Sequence, residues 1–176
     1  GALPAISGAS LTGVGKVLQV VQTHLTTTSS QSITAGSRAE ISGLNASITP
    51  SSTSSKILVS IRWCGELGSS SAYENTVFGM KRDSTNIGNP ASSGSRIFGM
   101  SVMAMGHHVG DGNATPDTCV YEYIDSPSST SSITYKATIL CGNLTSTLYN
   151  QRTVANADGN YVELTTSTIT LMEIGA

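Results

Sequence analysis

Charge is scarce in this chain. Only 11% of its 176 residues are Asp, Glu, Lys or Arg, against about 25% in an ordinary globular protein, so its polar surface has to be built from Ser and Thr hydroxyls. A formal net charge of -2 leaves no basic stripe and excludes the electrostatic footprint of a nucleic-acid-binding protein. No apolar run approaches the roughly 18 residues that a membrane helix needs. No charged-then-apolar stretch of the kind a signal peptide shows stands in the first residues of the sequence. Aromatic residues make up 5%, with a single tryptophan, so the core has to be mainly aliphatic. The three cysteines, Cys64, Cys119 and Cys141, are too few and too widely spaced for a disulfide scaffold. Each sits in an apolar run where a free thiol acts as a small buried hydrophobe. Buried thiols are expected, with one bridged pair as the alternative.

What is present is short alternation punctuated by Gly, Pro, Asn and Ser. Hydrophobic residues reach 38% in a regular pattern, which excludes a disordered Ser-rich chain. Ile57, Val59, Ile61 and Trp63 share one parity and Lys56, Ser60 and Arg62 the other, so a period of two places the first four on a buried strand face. Further strands are expected over 15–22, 38–48, 75–83, 96–105, 118–125, 132–141 and 161–174. Within 38–48 the parity slips, from Ala39 and Ile41 to Leu44, Ala46 and Ile48, and Ser42-Gly43 at the slip predicts a β-bulge. Turns are expected at 49–52, 125–128 and 158–160, and the Ser/Thr stretch 51–55 is expected to be a solvated loop. No segment makes a capped amphipathic helix, and β-branched residues favour strands. The reading is an all-β, antiparallel β-sandwich of jelly-roll type with about eight to ten strands. Residues 1–14, small, turn-rich and poor in alternation, are expected to be a linker leading into the domain, and 15–176 a single sandwich domain.

Chemical signatures are sparse. The glycine-rich segment 7–16 fails the phosphate-loop spacing, because Ser10 stands five before Gly15 and Val17 follows Lys16. No G-x-S-x-G elbow occurs. Eleven carboxylates are scattered through the chain without selecting the pair a glycosidase needs, so no enzyme is expected. His107 and His108 lie near Asp111, but adjacent strand residues point to opposite faces. Only copies around a threefold axis would gather imidazoles, a sensible partial shell for a transition metal. Without a wider ligand set the pair reads as an exposed loop, and neither metal nor cofactor is expected. Trp63 has core parity, which leaves Tyr73 and Tyr149 as the better stacking residues. Met100, Met103 and Met105 put apolar groups on both faces of their segment and are the expected subunit contacts. The sequons at Asn45, Asn113 and Asn143 are expected to be bare.

Several stretches together resemble a known family. LPAISGASLTGV (3–14), GKVLQVVQ (15–22), SGLNASITPSSTSSKILVSI (42–61), KRDSTNIG (81–88), YIDSPSSTSSITYKATI (123–139) and STITLMEIGA (167–176) resemble, in this order, the distal C-terminal domain of tail-fibre proteins from phages of marine and other environmental bacteria. Ser84 stands where that family usually has Gly. The resemblance implies a β-sandwich at the tip of a homotrimeric fibre on the virion, which attaches the particle to a host-surface glycan or protein and contacts other virion proteins. It fails over 64–75 and 86–117, and variable loops on a fixed sandwich are where recognition resides. The expected contact residues are Tyr73, Asn89, His107, His108, Asn113 and Asn156. The alternatives are a capsid decoration or head-fibre protein and a glycan-degrading tail spike.

Overall fold

The computed structural model describes residues 16–68, 75–103 and 114–175. Ten strands and, among the described residues, no helix make up the fold. They are β1 (Val17–Leu25), β2 (Ser29–Ile33), β3 (Arg38–Ile48), β4 (Lys56–Leu67), β5 (Thr76–Arg82), β6 (Thr85–Ile87), β7 (Asp117–Asp125), β8 (Ile133–Cys141), β9 (Ser146–Asn150) and β10 (Ser167–Ile174).

Two antiparallel sheets form. In the first, β10 lies between β1 and β4, and the far edge of β4 is shared by β7 and, at its end, β9, which carries β2 outside it. The second runs β3-β8-β5-β6. Four of the pairings are nested in the sequence: β1 with β10, β3 with β8, β4 with β7, and β5 with β6. The chain is thus one long hairpin, bent at Asp83-Ser84 and rolled so that consecutive pairs fall alternately in the two sheets. That is the winding of a jelly roll, with β2 and β9 added to it.

The alternation expected in β4 holds. Ile57, Val59, Ile61 and Trp63 are all 0% exposed and face Leu44, Phe78, Tyr135 and Ile139 across the sandwich. The Trp63 and Phe78 rings are 5.1 Å apart, and Phe78 leads on to Tyr121 at 6.5 Å. The Trp63 indole nitrogen donates to Asn150 Oδ1 at 2.7 Å, so its polar edge is satisfied inside the core. The bulge is present: the β3–β8 register breaks between Glu40 and Asn45, and Gly43 takes a φ of 76°, where a side chain is disfavoured. All three cysteines are free and buried, and burial pushes the Cys119 thiol up to about 11.

Three expectations are corrected. Residues 96–103 make no strand; they lie along β5 through the single bridge between Phe78 and Ser101. The last strand begins at Ser167, and 161–166 are irregular. The 51–55 loop is not simply solvated, because Ser55 is buried. Together with Ser51 it binds Glu173.

The strand directions sort the connections by length. Short ones, 49–55, 83–84 and 126–132, lie at the end where β1 begins, and there Gly175 N donates to Lys16 O at 2.8 Å. The longest ones, 68–75, 88–116 and 151–166, each lead into a strand that begins at the far end, where β2 and β9 are added. The near end is locked by two buried carboxylates. Asp125 accepts both contacts of the Arg82 guanidinium, at 3.0 and 3.1 Å, and the Tyr135 hydroxyl at 2.7 Å. Glu173 accepts from Ser51 N, Ser51 Oγ, Ser55 Oγ and Gln19 Nε2, at 2.6 to 2.7 Å.

Burial alone would raise the Glu173 carboxyl, but the donors from Ser51, Ser55 and Gln19 outweigh it and lower its pKa to about 2. A folded pKa below the unfolded one contributes stability that is complete above the ordinary glutamate range and is lost as pH falls from about 5 towards 2. Urea midpoints of the wild-type protein are therefore expected to fall over that window. Those of Glu173→Gln should start lower and fall less steeply, and parallel curves would show that Glu173 is not a source of acid sensitivity.

Candidate functional site

The far end of the roll carries a polar cleft of about 300 Å³, lined by Arg152, Thr153, Asn156, Asp158 and Glu163 among others. It lies in the connection between β9 and β10, and its floor is fixed by buried polar groups. Gln151, in a left-handed conformation with a φ of 61°, donates from its backbone N to Cys64 O at 3.0 Å and from Nε2 to Ser167 Oγ at 2.7 Å. The buried Glu66 accepts from Val154 N at 2.5 Å. Thr165 N donates to Gln151 O at 2.9 Å, which closes the loop at its base. Arg152 is used in the same frame: it donates to Thr153 O and Val154 O and lies 4.4 Å over the Tyr149 ring.

The rim is open to solvent. Asn156, Asp158 and Glu163 are exposed, and Tyr161 and Leu164 are 63% and 76% exposed. The Tyr161 ring lies so close over Gly159 that a side chain there would begin 2.5 Å from it. A hydrogen-bonded floor beneath exposed acceptors, with the Tyr161 ring beside the cleft over Gly159, suits a ligand rich in hydroxyl or amide donors and C–H faces. Preorganisation of this kind reduces the entropy lost on binding.

Of the expected contact residues, Asn156 stands on this rim. Asn89 does not present its acceptor to solvent: its Oδ1 is buried, against Gly79 and beside Arg38. Arg38 anchors the same loop, donating to Thr138 Oγ1 at 3.2 Å and to Phe98 O. Tyr73, His107, His108 and Asn113 lie outside the described residues. Of the expected subunit contacts, Met103 is corrected. Met103 is 3% exposed within a single chain and belongs to its core, and Met100 is half-buried against that core. Met103 is therefore spent inside the protomer; Met105 lies outside the described residues. Tyr149 is a poor stacking platform because Arg152 already covers it. Sequence reasoning missed Tyr161, Asp158 and Glu163 as a group. The 158–160 turn was its signal, but the alternation of Tyr161, Val162, Glu163 and Leu164 imitates the start of a strand.

A second, more apolar groove follows the 88–103 segment, where Val77, Pro90, Ile97 and Phe98 line about 310 Å³. No group of three or more metal-ligating side chains occurs among the described residues. The chain matches no family model, no curated protein and no solved structure.

Proposed function

We propose that the chain is a virion adhesion module, the receptor-binding tip of a bacteriophage tail fibre, which as a homotrimer attaches the particle to a host-surface glycan or protein. It acts by binding, without catalysis or cofactor. One observation carries the reading: the strands that follow the long connections, β5, β7 and β10, all begin at the end opposite Lys16, and that end holds a framed polar cleft. Lys16 lies at the near end, so a shaft attached on that side would leave the far-end cleft facing outward. Weak contacts at one cleft become firm attachment when three copies and several fibres act together. A decoration protein, which has only to grip the shell, does not call for an open cleft of acceptors at its free end.

Fluorescently labelled protein is expected to bind cells of the host bacterium and to compete with the phage for adsorption. Tyr161→Ala with Asn156→Ala should weaken that binding at least tenfold, equivalent to about 1.4 kcal/mol, while the unfolding midpoint stays put as it does for most exposed positions. Unchanged binding would remove the cleft as the receptor site. Labelling of phage heads in place of cells would favour the decoration protein, and release of reducing ends from host polysaccharide would favour a glycan-degrading spike.

A further inference from the structure

A line of apolar side chains crosses the outer face of the first sheet. The register pairs Val20 of β1 with Met172 of β10, Met172 with Leu58 of β4, and Leu58 with Ile124 of β7. All four have the parity that points away from the core. The two ends of the line, Val20 and Ile124, are 55% and 53% exposed, and Val17 and Leu18 extend the apolar surface at the near end. The next row, Gln22, Thr170, Ser60 and Glu122, is satisfied within the chain. Gln22 Nε2 donates to Thr170 Oγ1, and Ser60 Oγ donates to Glu122, each at 2.8 Å. The face is therefore apolar where it is open and already hydrogen-bonded where it is polar. Contiguous exposed apolar surface of this kind marks an interaction site.

We propose that copies of this chain pack against one another through this face. The proposal rests on the attachment reading for the number of copies, three. Size fits a second copy. Four strands spaced about 4.8 Å apart, over seven residues of about 3.4 Å rise, give a projected face on the order of 450 Å². That is about half of the roughly 800 Å² each partner buries in a stable complex, so the face supplies the centre of a contact between copies and its surroundings the rest. Charge fits as well. Lys56 lies on one side of the apolar line and Glu122 on the other, and neither forms an ion pair among the described residues, so a neighbouring copy has an opposite charge to offer each. Position fits too. The line is at the near end, so protomers packed side by side there leave their far-end clefts open and facing the same way. Met103, expected to do this work, is buried within its own chain, and the sheet face takes its place.

The test is solution mass by light scattering. The wild-type chain of 18.1 kDa is expected at about 54 kDa, the mass of a closed cyclic trimer. Val20→Lys with Ile124→Lys should fall threefold to the monomer mass while keeping a cooperative unfolding transition. Leu164→Lys, at the far end, should remain trimeric. If the lysine pair fails to fold, Val20→Thr with Ile124→Thr, which keeps β-branched residues in both strands, decides the matter. The concentration at half-dissociation should rise at least tenfold. A trimer indifferent to both pairs overturns this interface and leaves the attachment reading standing. A wild-type monomer overturns the interface and the homotrimer together, while cell binding by that monomer would still uphold attachment.

Discussion

Gly65→Ala is expected to destabilise the fold by about 3 kcal/mol, although it adds a single methyl group. Gly65 is the residue at which β4 changes neighbours, since it pairs with Asp117 of β7 and with Asn150 of β9. A side chain there would begin 2.1 Å from the Tyr149 carbonyl oxygen and 2.7 Å from Trp63 Cζ2. The first obstacle is backbone, so relief requires β9 to move. That shift would pull Asn150 from the Trp63 indole and displace Gln151, on which the cleft floor hangs. The variant should show a lower urea midpoint by circular dichroism, and even where still folded it should bind cells more weakly than wild type. A wild-type midpoint would mean that β9 does not pack against β4 this closely.

Asp125→Ala should be nearly as damaging, at about 2–3 kcal/mol, because it removes the buried acceptor of the Tyr135 hydroxyl together with the ion pair of a part-exposed Arg82. The carboxylate ties the end of β7 to β5 through Arg82 and to β8 through Tyr135, and so bridges the two sheets at the near end. Without it the Tyr135 hydroxyl is left buried without its acceptor, and Arg82 loses its only ion pair among the described residues. Tyr135→Phe should cost only about 1 kcal/mol, the worth of one hydrogen bond removed with its donor. In the double variant the two losses should fall short of adding, because both remove the same contact. Strict additivity in denaturation measurements would show that Asp125 and Tyr135 act independently.

The sequence was most legible where one residue's side of the sheet decides its fate. Period two placed Trp63 in the core, and the parity slip at Ser42-Gly43 located the bulge, because both signals are local. Pro50 and Pro127 stop strands by their own backbone constraints. By contrast, β2 (SSQSI) and β9 (STLYN) are short and largely polar, and are strands because they pair with each other across more than a hundred residues. The 96–103 segment has the composition of a strand. Its carbonyls are taken up by Arg38 and Phe78, with no continuous ladder. Likewise, nothing in a Ser/Thr loop announces that two of its hydroxyls serve a glutamate some 120 positions away. For the site, the sequence offered Asn156 and Asn89, but not which side chains face out. Asn156 faces out, Asn89 turns in, and Tyr161 was concealed by a false alternation.

The nesting of the strand pairs also sets the order in which the molecule can assemble. The β5–β6 hairpin closes over two residues, whereas β1 meets β10 only after about 150 intervening residues have been brought together, and non-local closure of that kind is slow. Folding is favoured from the Asp83-Ser84 bend outward, with the β1–β10 pair zipping last. Val20 and Met172 belong to that final pair. The apolar line is therefore completed only when the roll is closed, and a nascent chain has no finished face through which to capture, or be captured by, another unfinished copy.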